Sequence, residues 1–165
     1  MSPSVCIIAI TALAGPPLDG VVRDVAFRGP SSMGDYPVTW SLVPLIAAPG
    51  SEAVLEVRVA VPDAYLVYRD RVDVLASSVI PLEWGDVELP AGRVRPPRTE
   101  GAPPRVVYDE DFVVRVPVTV PPEAPVGLAH LRVTLEHQGC HQGSCYPLVT
   151  RTREAVLEIV LADEH

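Results

Sequence analysis

No lysine and no asparagine occur in the 165-residue sequence, so all 13 cationic side chains are arginine. We read that pair of absences as the codon bias of a GC-rich genome. Cations are also outnumbered. The 21 Asp and Glu leave a formal net charge of −8, which argues against nucleic acid or an anionic lipid surface as the main partner. No apolar run reaches the roughly 20 residues of a membrane-crossing helix, so any membrane role falls to a partner. Long helices have little room, because 19 prolines interrupt the chain. With 48% apolar and 21% charged residues, wholesale disorder is excluded as well. A chain of this length suits one domain, or one domain plus a tail, and its core needs no disulfide as a substitute.

What is present is alternation with a period of two, the signature of half-buried strands. In 54–61, Leu55, Val57, Val59 and Val61 share a face opposite Glu56 and Arg58. In 112–120, Phe112, Val114, Val116, Val118 and Val120 oppose Arg115 and Thr119. Leu131, Val133 and Leu135 alternate with His130, Arg132 and Thr134, and 154–161 turns Ala155, Leu157, Ile159 and Leu161 inward. No stretch carries a sustained helical stripe. Pro- and Gly-rich connectors at 47–51, 90–104 and 121–127 separate the runs, a spacing that predicts an all-β fold, an immunoglobulin-like antiparallel β-sandwich from about Tyr36 to Leu161. Pro117 predicts an edge or bulged strand. The connector 90–104 has the length of a lid or binding loop.

The N-terminal 1–35 read as a lead-in to a domain at 36–165. Residues 5–15 are as long as the apolar centre of a signal peptide, and Ala12-Leu13-Ala14 resembles a cleavage site, although no Arg or Lys precedes them. A signal remnant, a mis-assigned start and a short pairing strand all fit.

Chemistry concentrates in EHQGCHQGSCYPLVT, residues 136–150. Cys140 and Cys145, with four residues between them, can close a small ring if a turn brings their Cα atoms within about 7 Å. So short a loop removes little chain entropy, roughly 2 kcal/mol, which makes it a poor staple and fits an accessible, easily reduced pair. An inert disulfide or two free thiols fit the spacing equally. His137 and His141 flank the pair, where an imidazole lowers a thiol pKa. The same four residues form an H-x2-C-H-x3-C cluster able to hold Zn²⁺ or Cu(I). A third cysteine, Cys6, stands in the N-terminal run. The sequence lacks C-x-x-C, C-x-x-C-H, G-x-S-x-G, H-E-x-x-H and any phosphate-binding glycine loop. Glu83, Asp86 and Glu88, and Asp109, Glu110 and Asp111, read as solvated charge near turns, while Trp40 and Trp84 read as packing residues.

Four segments carry a resemblance: AYLVYRDRVDV (64–74), ELPAGRV (88–94), VVYDEDFVVRVPV (106–118) and QGCHQGSCYP (138–147). In this order, over about 100 residues, they resemble the N-terminal periplasmic domain of the thiol:disulfide interchange protein DsbD. The first is similar to the family's Gly-Tyr-x-Leu-Tyr-Arg segment and the last to its active-site stretch. The resemblance implies an immunoglobulin-like domain whose redox group is the cysteine pair itself, with no metal or organic cofactor. A thioredoxin-like donor, fed by a membrane electron-transfer protein encoded separately, would supply electrons. Clients would be periplasmic disulfide isomerases or cytochrome c maturation thioredoxins, which places the chain in the periplasm or otherwise outside the cytoplasm. By position, Cys145 would form the mixed disulfide with the client and Cys140 would resolve it. Tyr68, Leu66, His141 and Tyr146 would wall the site or meet the partner. Three departures stand out. The spacer is four residues where well-known members have five, the loop 95–104 lacks the family's acidic-aromatic cap, and Leu66 replaces one of two tyrosines.

Overall fold

The alternating runs form strands with the faces their pattern assigns. The computed structural model describes residues 36–97 and 99–161; the N-terminal run and Cys6 lie outside them. In chain order the strands are β1 (Thr39–Leu42), β2 (Leu45–Ala47), β3 (Glu52–Ala60), β4 (Tyr65–Tyr68), β5 (Asp73–Ser78), β6 (Glu83–Trp84) and β7 (Arg93–Arg95). There follow β8 (Arg105–Tyr108), β9 (Phe112–Thr119), β10 (Gly127–His137), β11 (Gly139–His141), β12 (Ser144–Cys145) and β13 (Val149–Ile159). One 3-10 turn, Arg69–Arg71, leads out of β4.

Two four-stranded sheets, ordered β1-β3-β9-β6 and β2-β13-β10-β5, face each other. Leu55, Val57, Val59, Val114 and Val116 of the first meet Val74, Val133 and Leu135 of the second, with Trp40 buried among them. Val118, Leu131, Leu157 and Ile159 extend the packing. Each such side chain contributes about 1.5–3 kcal/mol on burial, and sheets with one apolar face can bury it only against each other. The result is an immunoglobulin-like β-sandwich. Its ladders are antiparallel except at one edge, where β2 runs parallel to β13 with Leu45 opposite Leu157. Pro44, which has no N–H to donate, stands where the chain leaves β1 and crosses to the other sheet.

A third sheet, ordered β12-β11-β4-β8-β7, carries both cysteines of the pair. Val67 and Tyr108 on one of its faces join the sandwich core, while Leu66, Val107 and Cys140 on the other form a separate small cluster.

Three expectations need correction. Pro117 is not on an edge strand, because β9 lies between β3 and β6 with Val54 opposite Pro117. The bulge lies in the facing segment, where Trp84 pairs with Val118 but Glu88 with Arg115, one residue more than an unbroken ladder needs. The proline is tolerated because its backbone faces the two-residue strand β6, where its carbonyl accepts the Gly85 N–H at 2.8 Å and no partner requires an N–H from it. The connector 90–104 is not loop throughout: Arg93–Arg95 pair with β8, so its centre is a β-hairpin whose described tip residues are exposed. Leu161 points outward, 72% exposed, since β13 ends at Ile159.

Candidate functional site

The cysteines sit on a two-residue β-hairpin. Cys140 pairs with Cys145 and His141 with Ser144, leaving Gln142 and Gly143 to make the turn. Both turn residues have positive φ, +45° and +94°, the handedness that matches the twist of adjacent strands. The flanking bonds run from Tyr146 N–H to the Gly139 carbonyl, at 2.9 Å, and from the Gln138 side-chain amide to the Tyr146 carbonyl, at 3.0 Å. A directly opposed cross-strand pair brings two Cβ atoms close. The two Cα atoms are 4.0 Å apart and the sulfurs are joined as a disulfide.

The two sulfurs differ sharply in access. Cys140 is 1% exposed, packed with Leu66 and Val107, whereas Cys145 lies on the exposed rim. β4 supplies the wall beside them, since alternation in Tyr-Leu-Val-Tyr turns Leu66 and Tyr68 toward the pair. Leu66 stands opposite Cys140 in the ladder, and the Tyr68 N–H donates to the Gln138 carbonyl at 2.9 Å. The Tyr68 hydroxyl lies 3.0 Å from Cys140 Sγ and 3.6 Å from Cys145 Sγ. Above the Tyr68 ring, 3.7 Å from its centroid, sits the Arg105 guanidinium, which also pairs with Asp70 at 3.0 Å.

Behind the hairpin is an aromatic cluster. Tyr36 packs against Tyr146, Tyr65 and His137, and His141 stacks on Tyr65 with ring centroids 4.2 Å apart. The Tyr36 hydroxyl donates to the Leu66 carbonyl at 2.7 Å, and burial holds its pKa above the ordinary phenol range. Gly139 makes room for that bond: a Cβ there would overlap the Leu66 carbonyl and the Tyr36 hydroxyl.

The structure thus brings Cys140, Cys145, Leu66 and Tyr68 together, with His141 and Tyr146 on the supporting side. It does not bring His137 to the sulfurs. His137 ends β10 inside the core, 1% exposed, and neither ring nitrogen has a hydrogen-bond partner. Burial, reinforced by the charge of Arg151, lowers its pKa to about 4. Among the described residues, no three His, Cys, Asp or Glu side chains converge as a metal would require. Nor are all the acids near turns merely solvated. Asp111 accepts the Val61 N–H at 2.8 Å, and Asp109 pairs with Arg93 at 3.1 Å.

Sequence reasoning missed Tyr36, Tyr65, Gly139, Arg105 and Asp70. In the sequence pattern Tyr36 marks only the start of the sandwich, and Arg105 lies 35 residues from Asp70, too far for local spacing to connect them. Gly139 carried a legible signal, a glycine directly before a cysteine, although what it accommodates is non-local.

Residues 39–157 match the model of the family described as thiol:disulfide interchange protein DsbD, N-terminal. Similar solved structures include the Neisseria meningitidis DsbD N-terminal domain in the reduced form, 20% identical over 70% of this chain and 82% of that one, TM-score 0.48. The sixth cohesin of Acetivibrio cellulolyticus scaffoldin B is 12% identical over 74% and 99% respectively, TM-score 0.47. A ScaB type I cohesin from Pseudobacteroides cellulosolvens is 14% identical over 78% and 96%, TM-score 0.41. No curated protein matches the sequence.

Proposed function

The chain belongs to the DsbD N-terminal domain family, whose membership supports thiol–disulfide exchange, and from that premise we propose that it is a protein-disulfide reductase within an electron relay. The observation that carries this reading is the asymmetry of the pair: one sulfur exposed, its partner buried and within reach of a phenol hydroxyl.

In the reduced domain, the exposed Cys145 thiolate attacks a client disulfide. The client S–S bond breaks, a mixed disulfide forms, and the client's departing sulfur takes up a proton. The buried Cys140 then loses its proton and attacks Cys145 Sγ. This expels the second client thiolate, which is protonated, and closes the Cys140–Cys145 disulfide. Two electrons and two protons have passed to the client. A dithiol donor of thioredoxin-like type restores the pair by the reverse sequence, so no metal or organic cofactor takes part. Clients are themselves thioredoxin-like oxidoreductases, such as a disulfide isomerase or a cytochrome c maturation thioredoxin. The working compartment is periplasmic or otherwise extracytoplasmic, where disulfides persist. Only a small, transient interface is needed, as is usual between redox partners.

Two variants test the assignment against an oxidised thioredoxin-like client. Cys145→Ser is expected to abolish client reduction, and Cys140→Ser to accumulate a mixed disulfide through Cys145, visible as a mass adduct without reductant. Undiminished turnover in both variants would overturn it.

A further inference from the structure

Arg105 and Asp70 touch neither sulfur, yet they close a ring of contacts around the residue that does. Tyr68 ends β4, Asp70 lies two residues on in the 3-10 turn, and Arg105 opens β8 on the neighbouring strand. Val107 is opposite Tyr68 in the ladder, so alternation puts Arg105 on the same face. One guanidinium nitrogen reaches both Asp70 oxygens, at 3.1 and 3.0 Å, while the guanidinium carbon stands 3.7 Å over the Tyr68 ring. That is well inside the range of a cation–π contact.

We propose that Arg105, anchored by Asp70, is a positioning residue for the exchange reaction: it clamps the Tyr68 ring so that the phenol hydroxyl donates to Cys140 Sγ when that sulfur carries charge. The inference rests on the exchange reading and deepens it by naming what controls the buried sulfur.

A disulfide sulfur is a weak acceptor, whereas a thiolate is a strong one, so the Tyr68 hydrogen bond strengthens only as the disulfide opens. When a donor thiolate attacks the exposed Cys145 sulfur, the Cys140–Cys145 bond breaks and Cys140 leaves with the electron pair. The better that thiolate is stabilised, the faster it leaves. The same bond raises the thiolate fraction of Cys140 in the reduced domain, and so favours its resolving attack. Cys140 has apolar neighbours in Leu66 and Val107, surroundings that oppose a charge there and make a fixed donor matter. The Arg105 side chain is 42% exposed and the Asp70 side chain 60%, so their ion pair contributes little to folding on its own.

The test reads Cys140 alone, in the full chain carrying Cys145→Ser, as the rate of iodoacetamide alkylation at the Cys140 peptide against pH. Arg105→Gln is expected to raise the midpoint by roughly half a unit, the scale of one cation–π contact. Tyr68→Phe should raise it at least as far, and the double variant no further than Tyr68→Phe. Arg105→Lys should retain most of the parent behaviour, and Asp70→Asn should shift in the same direction as Arg105→Gln. With the intact pair, Arg105→Gln should slow re-reduction by a thioredoxin-like dithiol several-fold. An Arg105→Gln midpoint equal to the parent's overturns the proposal, and so does strict additivity with Tyr68→Phe. Absence of exchange with the dithiol in the parent would instead remove the exchange reading, and the alkylation profile would still decide the role of Arg105.

Discussion

Ala64 enters β4 with φ +66°, a left-handed conformation that costs a residue with a Cβ about 1–2 kcal/mol. The family segment that 64–74 resembles begins with glycine at this position, and only glycine adopts such a turn without steric cost. Ala64→Gly is therefore expected to stabilise the domain by about 0.5 kcal/mol or more, the relief of strain exceeding the roughly 0.4–1 kcal/mol of added unfolded-state entropy. Urea unfolding measures it, and a lower midpoint in the variant would contradict the strain. At the same scale, Cys140 and Cys145 are identical thiols whose proposed roles are separated by burial and by the Tyr68 hydroxyl, which lies 3.0 Å from Cys140 Sγ and 3.6 Å from Cys145 Sγ.

The hairpin of β11 and β12 is the element on which the site depends, and its closeness to β4 depends on Gly139. Gly139→Ala places a methyl against the Leu66 carbonyl and the Tyr36 hydroxyl, so the hairpin must move or the buried hydrogen bond must break. The expected cost is about 3 kcal/mol in chemical denaturation, with faster alkylation of Cys140 in the reduced domain. A variant as stable as the parent, with Cys140 still protected, would refute this. The long strands were legible because each has one buried face: Leu55, Val57 and Val59, or Phe112, Val114, Val116 and Val118, repeat every second residue. The site hairpin was not legible, for two physical reasons. Strands of two and three residues are too short to show a period, and Gln142-Gly143 lacks the Asn-Gly or Asp-Gly signal of a tight turn. The residues that could react were readable from the sequence, since a cysteine pair announces itself. Of their surroundings, Leu66, Tyr68, His141 and Tyr146 were readable only through the family resemblance. Tyr36 and Arg105 were not, because Tyr36 meets Leu66 across 30 residues and Arg105 meets Tyr68 from another strand, contacts that no local spacing encodes.

For the molecule as a whole, the buried His137 couples folding to pH. Its pKa falls from 6.5 to about 4, chiefly through burial and then through Arg151, so the folded state holds the ring neutral where the unfolded chain would protonate it. This contribution to stability is fully present above about pH 6.5 and is lost as pH falls toward 4, amounting to about 3 kcal/mol. Unfolding free energies at pH 7 and pH 4 should show the parent losing about that much more than His137→Phe, whereas parallel losses would contradict the account. At neutral pH the relay reading turns on how readily the one described disulfide accepts electrons. The most direct test is the reduction potential of the Cys140–Cys145 pair, measured by equilibration in dithiothreitol or glutathione buffers with thiol trapping and mass readout. The account predicts a value between roughly −270 and −180 mV, bracketed by thioredoxin and the disulfide isomerases. A value below about −300 mV would mark a structural disulfide and contradict it.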